Sequence, residues 1–579
     1  MDYRIAKDKI AGQVMFLLTI ASIFLVIIMA VGLFIKSEPI LSQYNLWELL
    51  TESNWRPMEG KFGFLPFLAG TFWCTALAIL IALPISLLMA IYLTEYAHRS
   101  IRKYVYPLLD ILAGLPSVIY GVWGSLLIVP WVSKHVAPLF VEFSSGYTVL
   151  AGGIVLSVMI IPLLVSLFME IFDNISTDLR EASLSLGATQ WQTIKHVVLR
   201  KARPGMIAAV VLALSRTLGE TIAVLMVCGN LAIVPGSVLD ACYPIPALIA
   251  NNYGEMLSVP LYDSALMFAA FLLFFVVVIL NLGSRIVLLK VKEEKGKKRL
   301  MKYLEERIVK LLMLGSIGIV GFFVLSVLWT IFRRGFPVLS WEMVSQLPSG
   351  GFYLGGKGGF LNAIVGSLYI VGGSTLLGLL ISLPVVFYMN VYLKPNSKFG
   401  YIARLAYDTL FGIPSIVYGS FAFTVMVWLG IRASLGGGIL VTTLLIVPIL
   451  IRSMDEVAKT IPQEILDSSY SLGATRIETI GVVLRQIAPA IATATLLSIG
   501  RAIGDCAGVM FTAGFSDHIP HGLNQQAATL PLSVFFQLSA PQEDVQNRAY
   551  AAAVVLTIIV LVLSFGGRFI MSHFSKNKI

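Results

Sequence analysis

Charged residues are scarce in this sequence. Only 13% of its 579 residues are Asp, Glu, Lys or Arg, whereas 57% are hydrophobic, and the mean hydropathy is +0.85. A soluble chain of this length has no interior large enough to bury so much apolar surface, so lipid is the expected solvent for most of it. The net charge is +10, but the basic residues lie between apolar runs. That pattern indicates basic cytoplasmic loops rather than a nucleic-acid-binding patch.

Cysteine is also rare. The four cysteines, Cys74, Cys228, Cys242 and Cys506, show no metal-ligand spacing, and three of them lie in or beside apolar runs. The sequence therefore predicts neither a disulfide framework nor a metal site. A pair between Cys228 and Cys242, which are close in sequence, stays open.

No cleavable leader is expected at the N-terminus. The first apolar run, about Val14 to Ile35, follows Arg4, Lys7 and Lys9. It is too long for a signal-peptide core, and no small-residue cleavage site follows it. We expect a retained spanning helix.

Twelve windows approach the roughly 20 apolar residues that a spanning helix needs. The windows are 12–35, 67–93, 104–131, 147–171, 205–228 and 264–289, then 308–332, 361–392, 403–430, 436–452, 490–514 and 548–571. The expected fold class is therefore an all-α polytopic membrane protein.

Basic loops predict the orientation of these spans. Alternate loops carry the Lys and Arg residues, whereas the loop between Gly229 and Asp263 contains neither. The basic positions are His98, Arg99, Arg102, Lys103, Lys195, Arg200, Lys201 and Arg203, the segment Lys290 to Arg299, and the tail from Arg568 to Lys578. Positive residues favour the cytoplasmic side, so both termini and the central linker are expected there.

The sequence contains an internal repeat. The stretch from Asp110 to Gly121 returns from Asp408 to Gly419, and Ser-Leu-Ser-Leu-Gly-Ala-Thr from Ser183 returns as Ser-Tyr-Ser-Leu-Gly-Ala-Thr from Ser469. Two homologous six-helix halves inserted the same way round predict a pseudo-two-fold axis along the membrane normal, with a transport path between them. We assign residues 1–290 and 303–579 to the halves and 291–302 to a basic cytoplasmic linker.

A long cytoplasmic segment follows the fourth window of each half, at about 176–203 and 459–488. Each contains an acidic residue, small residues and a glycine six positions on, which predicts two short helices joined by a tight turn. Small residues allow the first helix to lie deep in a groove of a partner. The candidate coupling residues are Glu181, Ala182 and Gly187 in the first segment, and Asp467, Ser468 and Gly473 in the second.

These paired segments resemble the coupling loops of ATP-binding-cassette (ABC) importer permeases, which dock in a cleft of the ATPase subunit. Arg200 and Arg485 stand where that family usually has proline. The stretch from Gly351 to Lys357 has phosphate-loop spacing, but Gly358 replaces the required Ser or Thr and no strand is expected before it. The chain is thus expected to be no enzyme and to bind no cofactor, with ATP and Mg²⁺ on a separate ATPase dimer.

Charged residues inside apolar windows are the main candidates for a substrate pathway. Arg216 and Glu220 lie in the fifth window, and Arg501 and Asp505 lie in its counterpart. A charge at bilayer depth costs at least about 2.5–3.5 kcal/mol, so it normally faces a cavity or a partner. The four-residue spacing predicts that Arg and carboxylate share a helix face, and a self-neutralising ion pair is the structural alternative.

Two guanidinium groups facing one path suit a compact oxyanion, since each planar fork donates two parallel hydrogen bonds. A carboxylate beside them accepts the proton of a monoprotonated oxyanion, which favours phosphate over sulfate. Further candidate pathway residues are Ser117, Tyr120, Ser415 and Tyr418, whose Gly-X-Pro neighbours are expected to interrupt each helix. A packing kink explains these four equally well.

The two charged helices carry the most specific resemblance. The stretch from Ser215 to Asn230 is similar to the C-type permease of the phosphate-specific (Pst) transporter family, and Gly500 to Ala513 is similar to its A-type permease. Asp505 and Cys506 replace a more usual Glu and Thr. The resemblance implies a type I ABC importer fold, made as a fusion of two normally separate permeases.

That family imports inorganic phosphate with a cytoplasmic ATPase dimer and an extracytoplasmic phosphate-binding protein. The implied location is a prokaryotic cell membrane. An ABC permease for sulfate, molybdate or a phosphonate remains an alternative, as does an ion-coupled secondary transporter, which leaves the coupling loops unexplained.

Overall fold

The computed structural model describes residues 2–252, 259–290, 303–349, 357–394 and 397–576. The predicted linker 291–302 and the glycine-rich stretch 351–356 lie outside these residues.

Helices form almost all of the regular structure, and a short hairpin pairs β1 (Trp55–Arg56) with β2 (Lys61–Phe62). The helices up to the middle of the chain are α1 (Asp2–Gln43), α2 (Leu46–Thr51), α3 (Leu65–Ile91), α4 (Arg99–Gly114), α5 (Ser117–Trp123), α6 (Val129–Trp131), α7 (Val149–Asp173), α8 (Thr177–Ser185), α9 (Gln190–Thr193), α10 (Leu199–Leu218), α11 (Ile222–Val227), α12 (Ile245–Asn252) and α13 (Pro260–Lys290). The remaining helices are α14 (Tyr303–Gly335), α15 (Trp341–Ser345), α16 (Leu361–Phe387), α17 (Lys398–Gly412), α18 (Ser415–Trp428), α19 (Leu435–Ala458), α20 (Gln463–Ser471), α21 (Arg476–Gly504), α22 (Val509–Thr512), α23 (Leu530–Leu538) and α24 (Glu543–Lys576). Two π-helical turns, Tyr92–Tyr96 and Tyr388–Tyr392, extend α3 and α16.

Ten described helical segments are long and apolar enough to cross a membrane, or eleven if the bent pair α17 and α18 is one span. The chain is therefore a multi-pass membrane protein. The fifth predicted window, 205–228, is not among them. Its helix α10 begins in the basic stretch at Leu199 and ends at Leu218, and Gly219 separates it from α11.

Proline breaks the third predicted span of each half. In the second half, α17 and α18 are bent by 98° where Ile413 and Pro414 interrupt them. Leu115 and Pro116 separate α4 from α5 in the same way. The predicted interruption is confirmed, because proline lacks the N–H that continues a helix and disfavours helical backbone at the preceding residue.

The described chain divides into two compact units. The first-half unit is Tyr44–Asn252 with Phe275–Arg334, and the second-half unit is Met1–Gln43, Tyr253–Phe274 and Gly335–Ile579. These units are defined by contacts in space and not by the repeat in the sequence. The assignment of residues 1–290 and 303–579 to the two halves therefore stays a prediction.

Small residues allow close helix packing in each unit. In the first-half unit, α3 and α7 run parallel, and a Cβ on Gly153 would lie 2.6 Å from the Leu77 side chain. In the second-half unit, α16 and α19 repeat the arrangement, with a Cβ on Gly373 only 2.8 Å from Ile439. Without water to drive association, close van der Waals contact of this kind holds membrane helices together. The same helix pair recurs in both units, as expected for the repeat.

The N-terminal helix belongs to the second-half unit. The Ser22 hydroxyl hydrogen-bonds the Tyr407 hydroxyl at 2.8 Å, and the Ile40 N–H donates to Ser264 Oγ at 3.0 Å. In the first-half unit, α14 takes the corresponding place, since Trp123 Nε1 donates to Ser326 Oγ at 3.0 Å. The first helix of each half is thus exchanged, which the repeat in the sequence does not indicate.

Candidate transport site and coupling loops

Each predicted Arg and acid pair lies at a helix end. Arg216 is in the last turn of α10, and Glu220 follows the helix end at Leu218. Arg501 is in the last turn of α21, and Asp505 caps that helix with extended backbone. The prediction that each pair shares one helix face is therefore wrong, because glycine ends the helix between the two residues. Arginine near a helix C-terminus is stabilised by the helix dipole.

Asp505 lies in a well-defined buried site of the second-half unit. Its side chain is buried, and its Oδ2 accepts a hydrogen bond from the Gly508 N–H at 3.0 Å. Arg501 and Ser415 both lie near enough to this carboxylate to stabilise its charge. A Cβ on Gly508 would lie 2.5 Å from Oδ2, so glycine allows this close approach. The structure thus brings together three of the predicted pathway residues.

The first-half unit holds the equivalent segments together. Arg216 and Glu220 are half-buried and act electrostatically on Tyr120. The Ser125 hydroxyl donates to the Met226 carbonyl at 3.1 Å, which joins the helix end of α5 to α11. The proline-broken helix and the glycine-broken helix therefore lie side by side, as Ser415 and Asp505 do in the other unit.

The hydroxyls of Tyr120 and Tyr418 supply the hydrogen bonds that are missing at the proline breaks. Tyr120 donates to the Leu112 carbonyl at 2.5 Å, and Tyr418 donates to the Leu410 carbonyl at 2.9 Å. Each carbonyl lies four residues before the proline, which has no N–H to donate. Both side chains are fully buried. The tyrosines thus have a packing role, and a part in the pathway stays a prediction, as it does for Ser117, which is half-buried at the start of α5.

Replacing Tyr120 with phenylalanine is expected to destabilise the protein by about 1–3 kcal/mol, since a buried carbonyl loses its donor. The same change at Tyr418 is expected to cost less, because the Leu410 carbonyl also accepts from the Ile413 N–H at 3.1 Å. Thermal unfolding in detergent measures both effects. Tyr369→Phe, at an exposed position on α16, is the control. Equal unfolding temperatures for all three variants would contradict this role.

The predicted coupling segments have the expected form. In the first, Gly187 lies between α8 and α9 with φ +79°, and in the second, Gly473 lies between α20 and α21 with the same φ. Capping boxes at Thr189 and Thr475 start the second helix of each. The hydroxyls of Ser183 and Thr193 close the first turn at 2.9 Å, and an equivalent pair closes the second. The predicted tight turn is confirmed in both copies.

The acidic and small residues of these segments face solvent. Glu181, Ala182, Asp467 and Ser468 are all exposed, as a docking surface requires. Asp467, Ser468 and Leu472 also line a shallow surface depression. Burial raises the pKa of the neighbouring Tyr470, so its phenol stays neutral. Their role in coupling stays a prediction.

Two exposed leucines of the coupling segments are not among the residues predicted from the sequence. Leu186 is 89% exposed and Leu472 is 90% exposed, each directly before the turn glycine. One exposed leucine is ordinary on a protein surface, but its recurrence at the same place in both copies makes it a candidate contact residue. The signal was available, because Leu-Gly-Ala-Thr is identical in both copies.

The first coupling segment is anchored by Glu95. Arg180 forms an ion pair with Glu95 at 2.9 Å and donates to the Phe172 carbonyl at 2.7 Å. Gln190 donates to the Glu95 carbonyl at 2.5 Å. Glu95, in the π-helical turn that extends α3, therefore holds both α8 and α9 in place.

The second coupling segment is anchored by the N-terminal helix. Asp8 Oδ1 accepts from the Tyr392 hydroxyl at 2.7 Å and from the Ile477 N–H at 2.8 Å. Arg4 donates to the Gly473 carbonyl at 3.1 Å and pairs with Glu478 at 2.5 Å. The start of α1 thus lies on the same side of its unit as the second coupling segment.

Replacing Asp8 with alanine is expected to loosen the second coupling segment alone. Two hydrogen bonds of about 1 kcal/mol each are lost, about 2 kcal/mol in total, which predicts amide exchange about thirtyfold faster in Arg476 to Thr479. Hydrogen exchange by mass spectrometry measures this, with α8 as the internal reference. Lys9→Ala, exposed on the same helix, is the control. Equal acceleration in α8 would show a global rather than a local effect.

Comparison with known proteins agrees with this architecture. The family described as binding-protein-dependent transport system inner membrane component matches twice, over residues 82–293 and 374–578. Phosphate transport system permease protein PstC of Xylella fastidiosa is 36% identical, over 42% of this chain and 79% of that protein. A probable ABC transporter permease protein, YqgH of Bacillus subtilis, is 38% identical over 41% of this chain and 78% of that protein.

A third relative comes from another organism. A probable phosphate transport system permease protein PstC of Methanocaldococcus jannaschii is 31% identical, over 46% of this chain and 90% of that protein. These relatives each cover about half of this chain, whereas the family domain occurs in it twice, so two permease domains are fused, as the repeat predicts. The chain belongs to the family of inner membrane components of binding-protein-dependent transport systems, and it is a transport permease rather than an enzyme.

Proposed function

We propose that this chain conducts inorganic phosphate into the cell as the permease of an ABC importer. The observation that carries the proposal is the arginine and carboxylate at a helix break, present once in each unit. The guanidinium fork donates two hydrogen bonds to a tetrahedral oxyanion. The carboxylate accepts a hydrogen bond from the P–OH group of monohydrogen or dihydrogen phosphate, a group that fully ionised sulfate lacks.

The broken helices support this role. Glycine lies at the end of both α10 and α21, three residues after the arginine, and the regular helix stops there. Irregular backbone at membrane depth is tolerated where it lines a cavity or is buried in protein. A carboxylate beside each arginine also limits the affinity for an anion, so that release stays fast.

The coupling segments support separate ATPase subunits as partners. In each turn an exposed leucine directly precedes the glycine, and the two glycines have the same φ. The two turns are therefore suited to be equivalent docking points. We propose that an ATPase dimer binds these points, carries the ATP and Mg²⁺, and drives transport. A phosphate-binding protein delivers the anion on the opposite side of the membrane. The contact of Arg4 with Gly473 supports a cytoplasmic N-terminus, because it joins that end of α1 to the coupling side.

Competition for uptake tests the cargo. The chain is reconstituted in proteoliposomes with its ATPase and binding protein, and entry of radiolabelled phosphate is measured with excess sulfate, molybdate or methylphosphonate. Unlabelled phosphate is expected to be the strongest competitor by at least about tenfold, which corresponds to 1.4 kcal/mol of preference. Stronger competition by any of the other anions would refute phosphate as the cargo.

A further inference from the structure

Three cysteines converge inside the first-half unit. Cys74 of α3 lies with its Sγ 3.4 Å from that of Cys242 and 3.7 Å from that of Cys228, and all three sulfurs lie within 4.8 Å of one another. All three side chains are buried. No metal-ligand spacing is visible in the sequence, because Cys74 lies 154 residues before Cys228. The Cys228–Cys242 disulfide that the sequence allows is not formed in the structure, where both are free cysteines and lie in a trio with Cys74.

The backbone holds two of these cysteines in register. The Cys242 N–H donates to the Cys228 carbonyl at 2.9 Å, and the Asn230 N–H donates back to the Cys242 carbonyl at 3.1 Å. Gly229, with φ +86°, allows the chain to turn between them. The Asn230 side chain then closes the end of α11 by donating to the Leu225 carbonyl at 2.8 Å. The positions of the sulfurs are therefore set by hydrogen bonds of the fold.

Glycine leaves room for the sulfurs. A Cβ on Gly152 of α7 would lie 2.5 Å from Cys228 Sγ and 3.3 Å from Cys74 Sγ. A Cβ on Gly70 of α3 would lie 3.2 Å from Cys242 Cβ. Two helices thus have no side chain at the points where they face the cluster.

The two shortest sulfur separations, 3.4 and 3.7 Å, are slightly below those expected around one shared metal ion. A metal–thiolate bond of about 2.3 Å places neighbouring sulfurs about 3.8–4.0 Å apart in tetrahedral or trigonal geometry. A disulfide would instead join one pair at about 2.05 Å and leave the third sulfur aside. Isolated buried cysteines act only as small apolar side chains and have no reason to meet in threes. We propose that Cys74, Cys228 and Cys242 form a three-coordinate site for one copper(I) ion.

The donor set selects the metal. Among the described residues, the donors that lie within mutual reach are these three sulfurs, with no histidine or carboxylate joining them. Structural zinc sites are almost always four-coordinate, whereas soft thiolates also favour copper(I). Thiolate is the ligating form, so binding releases thiol protons to solvent. A bound ion would tie α3, the end of α11 and the loop to Cys242 together.

Anaerobic metal binding to the purified full chain in detergent tests the site. Copper(I) is supplied from a bicinchoninate complex, and transfer is followed by loss of its colour. One copper per chain is expected. X-ray absorption of the loaded wild-type protein is expected to show three sulfur ligands and no nitrogen or oxygen ligand. That spectrum tests the coordination without any variant.

Serine variants locate the ligands. Cys228→Ser is expected to weaken copper binding by more than about a hundredfold, since even loss of an outer-shell partner costs ten- to hundredfold. Cys506→Ser, a buried cysteine of the other unit, is expected to bind copper as the wild type does. Any of four results would overturn the proposal: no stoichiometric copper, a site with nitrogen or oxygen ligands, tighter binding of zinc, or a native disulfide found by mass spectrometry within the trio.

Discussion

Replacing Arg216 with lysine is expected to lower the initial rate of ATP-driven phosphate uptake by about tenfold to a hundredfold, although the charge is kept. Lysine is a point charge and cannot form two parallel hydrogen bonds to one oxyanion. Loss of one charge-assisted hydrogen bond, about 1.5–3 kcal/mol, accounts for this range. Arg501→Lys is expected to have a similar effect. Uptake into proteoliposomes containing the partner proteins is the measurement.

Arg334→Lys, an exposed position in the last turn of α14, is the matched control and is expected to transport normally. The unfolding temperature of each variant separates loss of function from loss of fold. Near-normal uptake by both Arg216→Lys and Arg501→Lys would show that the arginines serve the structure and not the anion.

Replacing Gly473 with valine is expected to uncouple ATP hydrolysis from transport. At φ +79° a side chain strains the backbone by about 1–2 kcal/mol, which changes the population of the turn about five- to thirtyfold. A Cβ at this position would meet no atom within 4 Å, so the change acts through backbone conformation and not through a clash within the chain. The exposed Leu472 before it would then be displaced from its docking position. Phosphate transported per ATP hydrolysed is the quantity to measure.

Asparagine provides the control at the same site, because it tolerates left-handed backbone better than valine does. Gly473→Asn is expected to keep most of the coupling. The same two changes at Gly187 show which of the two loops contributes more to coupling. If valine and asparagine reduced coupling equally, the positive φ would not be the cause. If neither changed it, the turns would have no part in coupling.

Local patterns in the sequence predict much of this molecule. The Leu-Gly-Ala-Thr repeat predicts both coupling turns, since only glycine takes a positive φ without strain. The Gly-X-Pro motifs predict the breaks before α5 and α18, because proline cannot continue the helix ladder. Hydropathy predicts most of the spans, as apolar runs of this length have no other stable solvent.

Features that depend on tertiary contact are not visible in the sequence. The period of four between Arg216 and Glu220 suggests one helix face, yet α10 ends at Leu218, and the packing of α5 on α11 accompanies that break. The donation of Tyr120 to Leu112 needs the bend itself, so no spacing rule reveals it. The exchange of α1 into the second-half unit is likewise a matter of long-range packing.

The central claim is that ATP hydrolysis by partner subunits drives transport through this chain. Identifying the energy source for uptake tests this claim most directly. Phosphate uptake is measured in proteoliposomes that contain this chain, the binding protein and either the normal ATPase or a hydrolysis-deficient form, with ionophores present to collapse ion gradients. Uptake is expected to continue with the normal ATPase despite the ionophores, and to stop with the deficient form. Uptake that survives loss of hydrolysis but stops with the ionophores would identify an ion-coupled transporter and contradict the account.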